Sequence, residues 1–368
     1  MLCWLHFGDL HITTADEQNL RDLRTIAAQA SEHFATGIDF VLLPGDNANE
    51  GRPEQYRLIR EALEPLRLPL RILPGDHDFE PRNLVAMRVG LGAPALPQAA
   101  TIAGHRCLFL DIVSAGSGGP DFRLGTDQLA WLEREFANAE IPIVLFMHAY
   151  PRELRDCGDR VADLVAVHDV ACVAMGHTHY NELANDGTTI YSTVRSTGQV
   201  EEGPPGFAVT IVDEGVVSWR FKALEAPYPF CVITTPADER MITDPAHQIG
   251  RGRLTVRARI WGATPVREAT VRVGDGLAIS MSSDDTTSGS IWFAEIDAPD
   301  GRNKLTCRVV DETGSVDEDI IQLVVGDAGS WAAPPRAPAG SDANAIGAWA
   351  GRGIHGGQLG PNKNGRQW

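Results

Sequence analysis

Five short apolar runs in this chain each end just before a cluster of Asp or His residues, and this repetition limits the folds that the chain can adopt. The most informative cluster contains His177 and His179, which follow the run Val170–Met175. Apolar runs of about four to eight residues before Gly or Pro predict buried strands of a parallel or mixed sheet. The other four runs, each with the polar residues that follow it, are Leu2–Phe7 with Asp9 and His11, Phe40–Leu43 with Asp46 and Asn47, Leu70–Leu73 with Asp76, His77 and Asp78, and Ile143–Phe146 with His148.

These polar clusters predict a metal site. In open α/β sheets ligands bind beyond the carboxyl ends of the strands, so we expect the clusters to meet there. Together they offer three carboxylates and four imidazoles, besides a spare histidine. This donor set suits Zn, Mn or Fe, whereas a Mg or Ca site would use oxygen alone. Seven ligands fit two ions that share a bridging carboxylate, and such pairs bind the attacking and leaving oxygens in phosphoryl transfer. The pattern therefore favours hydrolysis of a phosphate ester.

The hydrophobic pattern changes along the chain and predicts two domains and a tail. Residues 1–223 alternate strand-like and helix-like segments, which predicts an α/β domain built from β-α-β units. After a Pro-rich connector the period becomes two, so residues 230–326 are expected to form an all-β, immunoglobulin-like sandwich. Residues 327–368 are rich in Gly, Ala and Pro and are expected to be flexible or docked. A Gly-, Ala- and Pro-rich tail is ordinarily flexible, and the observation in support of docking is its four large apolar residues, Trp331, Trp349, Ile354 and Trp368.

Charge and composition exclude several classes of partner. The formal net charge of −17 repels nucleic acid and anionic membranes, and no cluster of Lys or Arg reverses it locally. No apolar stretch approaches the roughly 20 residues that span a bilayer. Residues 1–8 already read as a strand, so we expect no secretory signal. The six cysteines lie far apart and are interpreted as free thiols. We therefore expect a cytoplasmic protein without nucleic-acid or membrane partners.

The motifs together resemble the calcineurin-like metallophosphoesterases. The resemblance spans about residues 1–223 in motif order and implies a four-layered α/β/β/α sandwich with two divalent or trivalent metal ions. Within that superfamily, the segment from Gly45 to Tyr56 looks most like the class III cyclic nucleotide phosphodiesterases and the bacterial glycerophosphodiesterases. The matching motifs are Asp9-x-His11, Gly45-Asp46, Gly75-Asp76-His77-Asp78, His148 and Gly176-His177-x-His179.

The resemblance also implies a role for each motif residue. It places Asp9, His11 and His179 on one metal ion, Asp46 as the bridge, and Asp76, His148 and His177 on the second ion. His77 is implied to be the catalytic non-ligand, which hydrogen-bonds the phosphoryl oxygen or protonates the leaving group. Asp78 is expected to orient His77 by a hydrogen bond to its ring, as carboxylates often do for imidazoles. A hydroxide bridging the metal ions is implied as the nucleophile, without a covalent enzyme intermediate.

Three further positions carry open questions. The family usually has Asn at the position of Asp76, and the extra carboxylate is expected to hold metal more tightly but leave it a weaker Lewis acid. Asn47 is a candidate substrate contact or a residue that shapes its loop. Arg195 follows another strand end, where its planar fork could bind a phosphate oxygen or pair with Glu201 or Glu202.

Several functions remain compatible with these residues. The expected substrate is a small phosphodiester, either a cyclic nucleotide or a glycerophosphodiester. A phosphomonoesterase with the same metal site is an alternative. A scaffold protein that uses the β-sandwich and the tail for assembly, with a secondary metal site, is an alternative of another class. The oligomeric state is left open, with assembly through the β-sandwich or the tail as one option.

Overall fold

The computed structural model describes residues 1–247, 252–283, 285, 288–326 and 344–355. Its α/β region contains β1 Leu2–Phe7, α1 Gln18–His33, β2 Phe40–Leu43, α2 Pro53–Leu63, β3 Leu70–Ile72, α3 Val85–Leu91, β4 Gln98–Ile102, β5 His105–Phe109, α4 Thr126–Ala137, β6 Ile143–Phe146, α5 Gly158–Val167, β7 Val170–Met175, β8 Glu182–Asn185, β9 Ile190–Thr193, β10 Gly206–Asp213 and β11 Val216–Ala223. The β-rich region that follows contains β12 Phe230–Thr235, β13 Arg253–Trp261, β14 Val266–Val273, β15 Ile279–Ser280, β16 Ser290–Asp297, β17 Gly301–Asp311 and β18 Val316–Val325.

The five apolar runs are strands, and they are divided between two mixed sheets. The first sheet has the order β11-β10-β1-β2-β3, with β1, β2 and β3 parallel to one another. The second has the order β4-β5-β6-β7-β9-β8, with β5, β6, β7 and β9 parallel. Four of the five runs match a strand at both ends, and β3 ends one residue before its run.

Packing of the two sheets explains why their strands are apolar on both faces. On β1, Trp4 points inward and contacts Phe146 of β6 at a ring-centroid distance of 5.4 Å. Leu5 and Phe7 of the same strand belong to the outer cluster that also contains Leu23 of α1. Side chains of a strand alternate between its faces, so each sheet packs against the other on one side and helices on the opposite side. The α/β/β/α arrangement is therefore present.

The β-rich region has two further sheets with a separate core. Their strand orders are β12-β13-β16 and β15-β14-β17-β18. Alternate residues of β13, including Val256 and Ala258, are buried against Val271 of β14 and Val309 of β17. The predicted period of two thus corresponds to strands with one buried face. All six cysteines are free thiols, as expected.

Contacts join the β-rich region to the α/β region. Arg220 of β11 donates to Asp317 of β18 at 2.8 Å, and both groups are largely withdrawn from solvent. Phe34, just after α1, packs on Trp261 of β13 with ring centroids 5.3 Å apart. The two regions therefore share a side-by-side contact that is partly ionic and partly aromatic.

Part of the predicted tail is docked. Residues 344–355 lie against β8, where Ala345 forms a bridge with Ala184, and Ile354 is fully buried. Trp331 and Trp368 lie outside the described residues. Within the described ranges, none of the helices has the length and apolar character needed to cross a bilayer.

Candidate metal centre

The strand ends bring seven Asp and His side chains together in two groups. The first group is Asp9, His11, Asp46 and His179, and the second is Asp46, Asp76, His148 and His177. All seven residues are buried, and one ligand atom of each lies within 4.8 Å of those of its group. Asp46 belongs to both groups. The structure therefore brings together every residue that the sequence put forward as a metal ligand, with Asp46 between the two halves.

Distances between donor atoms fit a shared ion. In the first group, His11 Nε2 lies 3.1 Å from His179 Nε2 and 3.7 Å from Asp46 Oδ2. In the second group, His148 Nε2 lies 3.4 Å from Asp76 Oδ1 and 3.6 Å from Asp46 Oδ1. Two donors that each lie about 2.0–2.2 Å from one ion are separated by roughly 3–3.7 Å at the usual coordination angles. Both groups meet this condition.

Four of these side chains stand on strained backbone. His11, Asp46, His177 and His179 all have φ between 44° and 66°, which non-glycine residues rarely adopt. Such strain costs about 1–3 kcal/mol per residue and clusters at functional sites, where the surrounding structure holds it. The loops that follow β1, β2 and β7 therefore hold these side chains in position at a cost in backbone conformational energy.

The donor set fits a metal ion because several buried polar atoms point into the centre without a protein partner. Asp9 Oδ1, Asp76 Oδ1 and His148 Nε2 have no hydrogen-bond partner among the described residues, although the last two lie 3.4 Å apart. His148 Nδ1 lies 2.9 Å from the Pro44 carbonyl, which can only accept a hydrogen bond. The proton of neutral His148 is therefore on Nδ1, and Nε2 presents a lone pair to the centre.

The electrostatics of the centre also call for a cation. Burial lowers the pKa of His11 and of His179 to about 4, so both imidazoles are neutral near pH 7 and can act as ligands. Burial works against a charged His148, but the carboxylates of Asp46 and Asp76 outweigh it and raise its pKa well above the usual value. The buried carboxylates thus need positive charge, which a metal ion would supply in place of a proton.

His77 lies beside the two groups on the wall of an open cavity. The cavity has a volume of about 310 Å³ and is lined by Asp46, Asp76, His77, Pro120, His177, His179 and Gln199. His77 Nδ1 lies 2.8 Å from the Asn49 carbonyl, so its Nδ1 carries a proton and its Nε2 is the nitrogen left for other partners. The His77 ring meets the His11 ring edge to face at 4.6 Å.

Asp78 has a different role from the one expected. Its carboxylate accepts hydrogen bonds from the backbone nitrogens of Asn47, Ala48 and Gly75 and from the Tyr56 hydroxyl at 2.8 Å. Among the hydrogen bonds of the described residues, none joins Asp78 to His77. The side chain therefore fastens the loop after β2 to the loop after β3, and the Asn49 carbonyl orients His77 instead.

Asn47 and Arg195, the two candidate substrate contacts, are also engaged elsewhere. Asn47 is fully buried, and its Nδ2 donates to the Leu73 carbonyl and to Asp78. The Arg195 guanidinium is 1% exposed, lies 3.7 Å from Glu202 and donates to the carbonyls of Pro204 and Gly353. The structure therefore does not bring the Arg195 guanidinium to the metal centre, and its partner Glu202 is buried rather than at the surface.

Two polar residues near the centre were not put forward from the sequence as residues of the site. Gln199 Nε2 lies 3.3 Å from His11 Nδ1, and Glu201 Oε1 lies 3.6 Å from His179 Nδ1. Both belong to the loop after β9, which is another strand end of the second sheet. That position was the available signal, because the residues themselves follow no ligand spacing.

The fold and the site define a metal-dependent phosphoesterase domain. Residues 4–181 match the family of calcineurin-like phosphoesterases, so the chain carries a domain of this family, as its motifs predicted. The predicted resemblance to this family is therefore confirmed at the level of the domain.

The curated relatives are phosphodiesterases. Glycerophosphodiester phosphodiesterase GpdQ of Enterobacter lignolyticus (strain SCF1) is 34% identical over 122 residues, which are 32% of this chain and 43% of that protein. The 3',5'-cyclic adenosine monophosphate phosphodiesterase CpdA of Escherichia coli (strain K12) is 27% identical over 201 residues. These residues are 51% of this chain and 71% of that protein. The chain thus spans less than half of the first relative. GAP50, the anchor in the inner membrane complex of Plasmodium, superposes with a TM-score of 0.48 at 15% identity over 62% of this chain and 86% of that one, too low a score for any argument.

Proposed function

We propose that the protein hydrolyses a small phosphodiester at a dinuclear metal centre. One observation carries this proposal: two groups of four buried ligands share Asp46, and members of both groups line the same open cavity as His77, namely Asp46, Asp76, His177 and His179. A structural metal site would be closed by its protein ligands, whereas a catalytic site keeps a face open to substrate. The open cavity of about 310 Å³ on one side of both groups supports catalysis.

The seven ligands would divide between two ions. Asp9, His11 and His179 would hold one ion, and Asp76, His148 and His177 the other, with Asp46 shared. Mixed imidazole and carboxylate donors suit Zn, Mn or Fe. When bound, such a pair of ions supplies a nucleophile from water at neutral pH and neutralises the charge of the phosphoryl group.

His77 would be the hydrogen-bond donor or general acid of the reaction. The carbonyl of Asn49 fixes the Nδ1 side of its ring, and the residue lines the cavity in which the ester would lie. Burial opposes a charged His77, but Asp46 and the Asn49 carbonyl outweigh it and raise its pKa, so the ring can also carry a proton on Nε2. In that charged form His77 would donate a hydrogen bond to a phosphoryl oxygen or protonate the leaving alcohol. Proton transfer by a positioned side chain contributes about 10²–10⁴-fold to a rate.

The lining of the cavity bears on how the phosphate is held. Among the described residues that line it, none is Lys or Arg. The charge of the phosphate would therefore be met by the metal ions and by His77 rather than by an arginine clamp. A diester carries one negative charge, so the site needs less positive charge to bind it than to bind a monoester. This supports a diester as substrate.

The names of the relatives support two classes of diester as the substrate of this protein. One relative acts on glycerophosphodiesters and the other on 3',5'-cyclic AMP. We propose that the substrate belongs to one of these classes. A phosphomonoester is the alternative, and relative rates on the three substrate types decide among them.

For the β-rich region we propose an immunoglobulin-like sandwich. Its support is the strand order, in which the first, second and fifth strands form one sheet and the remaining four form the other. The domain limits of 1–223 and 230–326 follow the change of architecture between β11 and β12. Sheets that exchange strands in this way are typical of Greek-key sandwiches.

The proposed function is tested on metal-loaded protein with an activated aryl diester and the corresponding monoester. We expect faster hydrolysis of the diester, loss of activity with a chelator, and a fall of about 10²–10⁴-fold in kcat for His77→Ala. His168→Ala is the matched control, because that imidazole packs on Phe136 away from the cavity. Equal inactivity of the wild type and His77→Ala, on every ester tested, would refute the enzyme and favour the scaffold.

A further inference from the structure

The docked C-terminal segment, residues 344–355, contacts the α/β region next to the metal centre. The Asn344 carbonyl accepts from Asn185 at 3.0 Å, and Ile346 donates to the Leu183 carbonyl at 2.8 Å. Both partners belong to β8, so the docked segment extends the edge of the second sheet. Ile354 at its other end is fully buried.

The Gly353 carbonyl is the point at which the docked segment meets the loops of the centre. It accepts hydrogen bonds from Asn181 Nδ2 at 2.9 Å and from the guanidinium of Arg195. Asn181 in turn accepts from the Arg195 backbone at 2.9 Å and donates its own backbone N–H to Glu202 at 2.9 Å. The N–H of His355 donates to the same Glu202 carboxylate. One carbonyl thus holds together the loop after β7 and the loop after β9.

Arg352 fixes the opposite side of the docked segment. Its guanidinium lies 3.0 Å from Asp319 of β18 and donates to the Trp219 carbonyl of β11 at 2.8 Å. Both charged groups are at most 3% exposed, so the pair is anchored within the protein. The docked segment is therefore held between the β-rich region and the loops of the metal centre.

The loop that the docked segment holds, residues 195–203, touches one half of the centre. Ser196 Oγ and Thr197 N both donate to the Asp9 carbonyl at 2.9 Å. Gln199 approaches His11, and Glu201 approaches His179, at the distances given above. These contacts all reach the Asp9, His11 and His179 side. The second half is held differently, since Asp46 Oδ1 accepts from His77 N and His148 Nδ1 faces the Pro44 carbonyl.

We propose that the docked segment positions the Asp9, His11 and His179 half of the centre and sets the affinity of that half for its metal ion. This inference rests on the proposed dinuclear function. Groups that orient a ligand from behind commonly change metal affinity by about 10–100-fold when they are lost. In this account Arg195 and Asn181 are positioning residues, which act on the ligands through residues 195–203.

The test is a glycine substitution in the full chain. Gly353 has a φ of +83°, and a Cβ there would lie 2.7 Å from Phe221 Cβ and 3.2 Å from Asn181 Nδ2. Gly353→Ala therefore displaces the carbonyl that joins Asn181 and Arg195. Gly351→Ala is the matched control, because it lies in the same segment and its Cβ would have no neighbour within 4 Å among the described residues.

The readout is the binding of Mn²⁺ to metal-free protein, measured by competition with a chelator, with thermal unfolding recorded in parallel. We expect Gly353→Ala to weaken one of two sites by about tenfold or more and to leave the other unchanged. Gly351→Ala should bind both ions as the wild type does. Arg195→Lys, which keeps the charge but loses the planar fork, should shift the same site in the same direction if Gly353→Ala fails to fold.

The outcomes separate this inference from the proposed function. Wild-type protein that binds fewer than two ions contradicts the dinuclear proposal itself. Wild type with two sites, together with unchanged affinities in folded Gly353→Ala and in Arg195→Lys, overturns the role of the docked segment alone. Equal weakening of both sites would also overturn it, because the contacts of residues 195–203 described above reach the Asp9, His11 and His179 half.

Discussion

At the scale of single residues, Asp76 is the ligand that sets the charge of the centre. Its Oδ1 lies 3.4 Å from His148 Nε2 and 3.6 Å from His177 Nδ1. Burial opposes ionisation of Asp76, but these imidazoles outweigh it and hold its pKa below the usual range. The side chain is therefore a carboxylate at neutral pH, and it adds a negative charge at the position where the resemblance implied an amide.

Replacing this charge should change metal and substrate binding in opposite directions. We expect Asp76→Asn to weaken metal binding by about tenfold, which corresponds to roughly 1.4 kcal/mol, and to lower KM because the less neutralised ions attract the phosphate anion better. Metal competition and steady-state kinetics measure the two effects. Asp159→Asn, an exposed carboxylate paired with Arg152, is the control. Unchanged metal affinity and KM in Asp76→Asn would show that this carboxylate does not set the charge of the site.

The residue types of the metal centre could be predicted from the sequence, but the direction of several side chains could not. All seven candidate ligands follow strand ends, and parallel strands of one sheet end at the same edge. The ligands come from two sheets, however, and only the fold shows that the edges of both sheets meet. Asp78 and Arg195 also follow strand ends, yet their side chains point into loops. Their partners, such as the Gly353 carbonyl, lie up to 158 residues away in sequence. Spacing contains no information about such partners.

At the scale of elements, the turn after β2 requires glycine at position 45. Its φ is +120°, and a Cβ there would overlap His148 Nδ1. Gly45→Ala should therefore displace His148 and weaken metal binding by about tenfold or more. Gly104→Ala is the matched control, because Gly104 also has a positive φ of +78° but no described neighbour within 4 Å. That control should lose about 1–2 kcal/mol of unfolding free energy with unchanged metal binding. Equal metal affinity in both variants would contradict this role of the turn.

Strand β11 contains a buried lysine whose charge makes stability depend on pH. Lys222 is 1% exposed, and burial lowers its pKa to about 8 from 10.5. Between these values the unfolded chain binds more protons than the folded one, so the contribution of Lys222 to the unfolding free energy rises with pH. In denaturant titrations, the unfolding free energy of the wild type should rise relative to that of Lys222→Met from pH 7 to pH 10. A difference independent of pH would contradict the shift.

Most strands could be predicted, whereas some connecting elements could not. The strands that lead to the metal ligands are mostly apolar because both faces are largely buried, which gives them a clear signal. The exceptions are His6 of β1 and Arg71 of β3. Helix α3 gave no such signal, since Met87 is its one buried residue and Val85 and Val89 are exposed. The loop 195–203 depends on contacts with distant segments, and no local pattern describes it.

At the scale of the whole molecule, Arg220 links the α/β region to the β-rich region. It donates to Asp317 and to the Cys231 and Glu318 carbonyls, and its guanidinium lies 4.7 Å from the Phe230 ring centroid. Removing one partner of a buried ion pair costs about 3–5 kcal/mol. We expect Arg220→Ala to lower the unfolding free energy by this amount. Arg57→Ala, which breaks an exposed pair with Glu61, should lose about 0.5 kcal/mol or less. Similar losses in both variants would show that the contact between the regions is weak.

The β-rich region could be predicted from its period of two, but its attachment could not. Alternation reports which face of a strand is buried, not which other surface it meets. The attachment depends on pairs such as Arg220 with Asp317 and Arg352 with Asp319, which lie on elements that are distant in sequence. Likewise, the apolar residues of the tail were compatible with docking, but the surface that receives residues 344–355 is visible only in the fold.

The central claim is that two metal ions, sharing Asp46, hydrolyse a phosphodiester. Its most direct test is a titration of metal-free protein with Mn²⁺ while the hydrolysis of an activated diester and the bound metal are followed together. The account predicts two bound ions per chain, with full activity reached only when the second ion binds. Full activity with one ion per chain, or activity that persists in the metal-free protein, would contradict it.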